Sequence, residues 1–77
     1  MSWNYRILAT EVSGEVYFLI HDVYYNENDI PDGYSENACI IGSESTDGIK
    51  NTLDKMEIGS KKGILWGGDR FPEPYRL

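Results

Sequence analysis

The stretch Glu15-Val16-Tyr17-Phe18-Leu19-Ile20-His21-Asp22-Val23-Tyr24-Tyr25 decides the fold. It is rich in aromatic and β-branched residues, which suit a pleated surface better than a helix. Side chains alternate across a strand. Val16, Phe18 and Ile20 therefore share one face, and Tyr17, Leu19, His21, Val23 and Tyr25 share the other. Both faces are largely apolar, so the strand needs cover on both sides.

The flanking segments read in the same way. Upstream, Trp3, Tyr5, Ile7 and Ala9 recur at period two, with Asn4, Arg6 and Thr10 between them, which predicts a half-buried strand over residues 3–10. Ser13-Gly14 is a turn signal between the two strands. Downstream, residues 26–33 are turn chemistry throughout, so the second strand and a third over residues 34–41 should form a long hairpin with a polar tip. Pro31 suits the start of the returning edge, where no needed hydrogen bond is lost.

The period changes after Gly42-Ser43-Glu44-Ser45. Ile49, Leu53 and Met56 follow at spacings of four and three, which predicts a short amphipathic helix. Ser45 is the expected N-cap, and Asp47 suits the positive end of the helix dipole. Gly48 weakens the helix by ~1 kcal/mol relative to alanine, so packing must hold it. Gly59 reads as its stop signal. Ile64-Leu65-Trp66 is a candidate fourth strand, and residues 67–77 are a tail whose Pro72 and Pro74 exclude regular structure. The expectation is one α+β domain over residues 1–66, with a three- to four-stranded antiparallel sheet, one helix on one face, and the order β-β-β-α-β. One short helix covers one face of the sheet. The other requires the tail, through Trp66, Phe71 and Tyr75, or a second copy of the chain.

Composition narrows the function. The chain has 77 residues, 40% hydrophobic and 26% charged, with a net charge of −6. That is globular composition. The negative balance argues against nucleic-acid binding, which calls for a basic patch. No run approaches the ~18 apolar residues of a membrane span, and the N-terminus does not read as a signal peptide, so a cytoplasmic protein is expected. A domain this short buries only somewhat over ~60% of its unfolded surface, which leaves little room for a deep internal pocket.

The charge is unevenly placed. Residues 1–44 hold eight acids and one base, a net −7, and residues 45–77 hold five acids and six bases, a net +1. The acidic excess lies on the strand half, among its tyrosines. It points to a protein partner, with a basic one suited to it.

Candidate chemical groups are few. His21 and Asp22 are adjacent, but neighbours on a strand point to opposite faces and cannot form a dyad. His21 reads as a sheet residue bonded to a tyrosine. Cys39, the one cysteine, lies beside Ala38, Ile40 and Ile41 and reads as a small buried hydrophobe. One Cys and one His cannot build a structural zinc site. The loop from Asn26 places Ile30 and Pro31 where a calcium loop needs an oxygen ligand and a glycine. Gly59-Ser60-Lys61-Lys62-Gly63 leaves a helix instead of opening one, so it is no phosphate loop. No catalytic residue, metal or cofactor is expected. Six tyrosines beside almost no lysine or arginine have the composition of a protein–protein contact.

Ser2-Trp3-Asn4-Tyr5-Arg6, the run Gly14–Tyr25 and Tyr34-Ser35-Glu36-Asn37 together resemble a group of small bacterial proteins with no assigned activity. The strand order also resembles the antitoxin domain of HicB-like proteins. That resemblance implies binding to a small basic toxin. DNA binding by this chain alone is not expected, because no ribbon-helix-helix or helix-turn-helix segment follows. The leading expectation is a non-enzymatic interaction domain that uses Tyr17, Leu19, His21, Val23 and Tyr25 to meet itself, as a homodimer, or another protein. A small ligand binder or enzyme with its site around His21 is the remaining alternative.

Overall fold

The computed structural model describes residues 2–76. Strands β1 (Ser2–Val12) and β2 (Glu15–Tyr25) pair antiparallel along their whole length, from Ser2 opposite Tyr25 to Val12 opposite Glu15. Ser13 and Gly14 join them with φ of 53° and 83°. Two consecutive left-handed residues are what a two-residue type I′ hairpin turn requires, and its twist matches that of the strands. Strand β3 (Pro31–Tyr34) adds antiparallel to β2, and β4 (Leu65–Trp66) adds parallel to β1. The spatial order is β3-β2-β1-β4. Helix α1 (Thr46–Ser60) links β3 to β4.

This is the α+β arrangement expected, with three differences of detail. The sheet is mixed because β3 runs in the direction of β1, and the α1 crossover returns the chain to the same end of the sheet before β4 begins. The third strand is also earlier and shorter than residues 34–41. Pro31 opens it, and Asn26 builds the turn before it by accepting from the Asn28 and Ile30 N–H groups at 2.8 and 3.1 Å. After Tyr34 the Ser35 hydroxyl takes over from the ladder. It accepts from the Asp22 N–H at 3.3 Å and donates to the Asn37 carbonyl at 2.8 Å, and the chain loops outward.

The third difference concerns α1. Ser45 is its N-cap, accepting from the Gly48 N–H at 3.0 Å. Gly59, however, lies inside the helix as a contact residue and does not end it. A Cβ there would sit 2.7 Å from the Tyr5 carbonyl carbon and 3.2 Å from the Tyr5 Cβ. This close approach orients the helix. The face turned to the sheet carries Ile49, Thr52, Met56 and Gly59, while Leu53 is 47% exposed. Arg6 on β1 donates from Nε to the Gly63 carbonyl at 3.1 Å and so fixes the turn after the helix.

Paired residues in an antiparallel ladder share a face. The helix lies on the side of Trp3 and Tyr5. On the opposite side Leu8, Val23 and Leu65 form the core cluster, with Tyr25, Tyr34 and Phe71 packed against it. Phe71 comes from the C-terminal segment, which folds back onto the domain. There, a 3₁₀ turn (Gly68–Arg70) is held by the Tyr34 hydroxyl, which accepts from the Gly68 N–H at 2.7 Å. Residues 73–75 run antiparallel to β4, with Trp66 N–H to Glu73 carbonyl and Tyr75 N–H to Ile64 carbonyl both at 2.8 Å. Tyr75 packs edge-on against Trp66 and Phe18, at 5.0 and 5.3 Å between ring centres. Fully buried Ala9 pairs with both of those residues and is small enough to let the Tyr75 ring reach them. The tail therefore contributes to both faces of the sheet.

Two variants test this packing. Gly59→Ala should destabilise the protein by about 1–3 kcal/mol in urea unfolding, because a methyl group against a backbone carbonyl outweighs the gain in helix propensity. Phe71→Ala should cost about 2 kcal/mol, which a tail independent of the domain would not show.

Candidate functional site

The β1–β2 hairpin is much longer than its neighbours. β4 reaches β1 only at Leu8 and Ala9, and β3 reaches β2 only from Val23 to Tyr25. Beyond these contacts the two strands continue as an arm. Every residue from Glu11 to Leu19 is exposed. Five of the nine are large apolar or aromatic residues: Val12, Val16, Tyr17, Phe18 and Leu19. Tyr17 and Leu19 lie on one face of the arm, Val16 and Phe18 on the other.

The five residues expected to form a contact face therefore divide. Tyr17 and Leu19 are 50% and 41% exposed and lie on the arm. His21 and Val23 are buried at its root, and Tyr25 is half-buried. Val23 belongs to the core cluster. The Tyr25 hydroxyl donates to Asn4 Oδ1 at 2.8 Å and accepts from Arg6 Nη1 at 3.2 Å. His21 lies edge-on against Tyr34, and its Nδ1 is 3.0 Å from the Ser35 carbonyl. A carbonyl can only accept, so Nδ1 carries the proton and the ring is fixed by the backbone and not by a tyrosine. These three residues build the root of the arm, and the other two are available for contact.

Val16, Phe18 and Val12 also belong to the exposed set, beyond the five residues expected from alternation. The signal was in the pairing register. Continued in its observed register, a third strand reaching Ile41 would lie opposite Val16 and cover this edge of β2. The strand ends at Tyr34, so the edge is left open. Ile40, expected in that strand, is 92% exposed.

Tyr17 donates its hydroxyl to Glu15 Oε2 at 2.7 Å, and this bond, with some burial, raises its pKa. Asp22 faces the helix side, and Cys39 donates to its Oδ1 at 3.0 Å. Burial, followed by the hydrogen bond and charge of Asp22, pushes the Cys39 thiol up to about 11. Cys39 is thus a proton donor to a carboxylate instead of the plain hydrophobe that the sequence suggested. A separate cleft of about 320 Å³ opens between β1 and α1, lined by Trp3, Tyr5, Lys55, Ile58 and Lys62 among others.

Comparison of the chain with protein-family models, with curated proteins and with solved structures finds no match in any of the three.

The Cys39–Asp22 pair makes a quantitative prediction. From an ordinary value of 9.0 to about 11 is ~100-fold less thiolate at pH 8. The higher intrinsic nucleophilicity of a more basic thiolate returns part of that loss, so the folded chain should react with an aromatic disulfide reagent about tenfold more slowly than the urea-unfolded chain. Asp22→Asn removes the charge, lowers the thiol pKa and should speed the reaction of the folded chain.

Proposed function

We propose that the protein is a non-enzymatic interaction domain whose contact element is the β1–β2 arm. The observation that carries this reading is the unbroken exposure from Glu11 to Leu19 on an arm with apolar side chains on both faces. Monomeric proteins rarely leave large contiguous apolar patches in water, and exposed apolar side chains gathered on one element favour a binding surface. A two-stranded ribbon is also marginally stable without a third layer, so a partner would stabilise the arm as well as bind it. Tyrosine and phenylalanine supply large contact area with few rotatable bonds, which suits them to the centre of an interface. The two residues singled out in the sequence for possible chemistry both make structural hydrogen bonds. His21 Nδ1 is bonded to Ser35, and Cys39 is bonded to Asp22.

A photo-crosslinking amino acid at position 17 or 19, in cells that make the protein, should yield one discrete protein adduct. The same group at position 53, exposed on the helix, should yield none. Equal adducts from all three positions, or no adduct from the arm, would overturn the reading. Tyr17→Ser should abolish partner binding and change stability by no more than about 0.5 kcal/mol, as is usual for exposed positions, whereas adding Leu19→Ser beside buried Leu8 should cost about 1 kcal/mol more.

A further inference from the structure

The two long edges of β2 differ. One is paired to β1 throughout. The other is paired only in its C-terminal half, where Val23–Tyr25 meet β3 and the Asp22 and Ile20 carbonyls accept from the Ser35 and Cys39 N–H groups at 2.9 and 2.8 Å. Between Glu15 and Leu19 this edge has no backbone partner among the described residues. In an antiparallel ladder the N–H and C=O of alternate residues point to the same side. Ile20 and Asp22 bond outward, and the β1–β2 register runs without a bulge, so Phe18 and Val16 present their backbone groups outward too. Proteins ordinarily blunt such an edge with lysine, proline, a bulge or a covering element. The segment from Val16 to Leu19 contains none of these and no charged side chain, and Glu15 at its start is the one charge on this edge.

We propose that this edge takes up an extended, basic segment of another protein as an added strand, continuing the sheet alongside β3. The proposal rests on the interaction-domain reading above and specifies its mode and partner. Backbone hydrogen bonds to Val16 and Phe18 would supply the pairing, and the side chains on both faces of the arm would hold alternate side chains of the incoming strand. Charge selects the occupant. No lysine or arginine lies between Arg6 and Lys50, while residues 7–49 contain nine acids, with Glu11 and Glu15 on the arm itself. A second copy would bring the same acidic surface to the same place. A segment with lysine or arginine at intervals would meet Glu11 and Glu15 with opposite charge.

The test uses the full chain, ¹⁵N-labelled, with a blocked hexapeptide of alternating lysine and valine and a glutamate–valine counterpart. The basic peptide should bind below about 1 mM. It should slow amide exchange at Val16 and Phe18 by at least about tenfold. Its affinity should fall as salt rises from about 50 to about 300 mM. The acidic peptide should do none of this. Phe18→Pro removes an outward N–H, and a synthetic chain N-methylated at Phe18 does so while keeping the ring; each should weaken binding at least about tenfold in a chain whose amide spectrum remains folded. Absence of protection at Val16 and Phe18, an equal response to the acidic peptide, or self-association of the free chain to twice 8.8 kDa through this edge would overturn the proposal. Binding that survives N-methylation but is lost in Tyr17→Ser would overturn strand addition and leave the interaction reading standing. Failure of the crosslinks at positions 17 and 19 would remove the interaction reading itself.

Discussion

The eleven-residue ladder between β1 and β2 is the constraint on which the rest depends. Its register is set by a two-residue turn and matches the side-chain alternation, and a slip of one residue would put Leu8 and Val23 on opposite faces of the sheet. Most of the rest attaches to the root half of this ladder, with Tyr75 reaching past it to Phe18. β3 and β4, four and two residues long, flank it, and the helix, the 3₁₀ turn and the tail cover it. A domain this small has enough apolar material to enclose roughly half of such a ladder, and the remaining half projects as an arm.

Close packing at the root relies on small residues as much as on large ones. Gly59 allows α1 to rest on the backbone at Tyr5, and Ala9 leaves room for the Tyr75 ring between Phe18 and Trp66. Leu8, Val23 and Leu65 then make a core so compact that Phe71 and Tyr34 must close it from outside. The aromatic residues of the tail are therefore structural, and the exposed aromatic residues of the arm stand out against them. The same residue types serve opposite ends because the flanking strands end where they do.

Much of this was legible in the order of residues. Period-two alternation located both long strands, Ser45 marked the helix start, and turn chemistry marked both hairpins. Periodicity counts Leu53 as apolar and predicts it on the buried helix face, but it cannot register that Gly59 makes the nearest approach. Ala38-Cys39-Ile40-Ile41 has strand composition and draws the expected third strand downstream, whereas β3 ends at Tyr34 and the Ser35 hydroxyl takes the next ladder bond. That displacement bears most on the proposed contact surface. It separates Tyr17 and Leu19, which face water, from His21, Val23 and Tyr25, which alternation placed on the same face. Alternation reports which side of a strand a residue occupies, and only the lengths of neighbouring strands decide whether that side is covered.

An open strand edge beside apolar side chains is a hazard for any protein, since identical copies meet most often. Lysine or proline on the edge would remove the hazard and also close the edge to every partner. This chain carries acidic charge instead. Glu15 begins the exposed edge, and Glu11 lies opposite Val16 in the neighbouring strand. Net charge of one sign opposes self-association without altering the backbone groups on offer. The barrier it raises against another copy becomes an attraction for a segment of opposite charge. On this view the −7 of the strand half and the openness of β2 are two parts of one device, each of which would be a liability without the other.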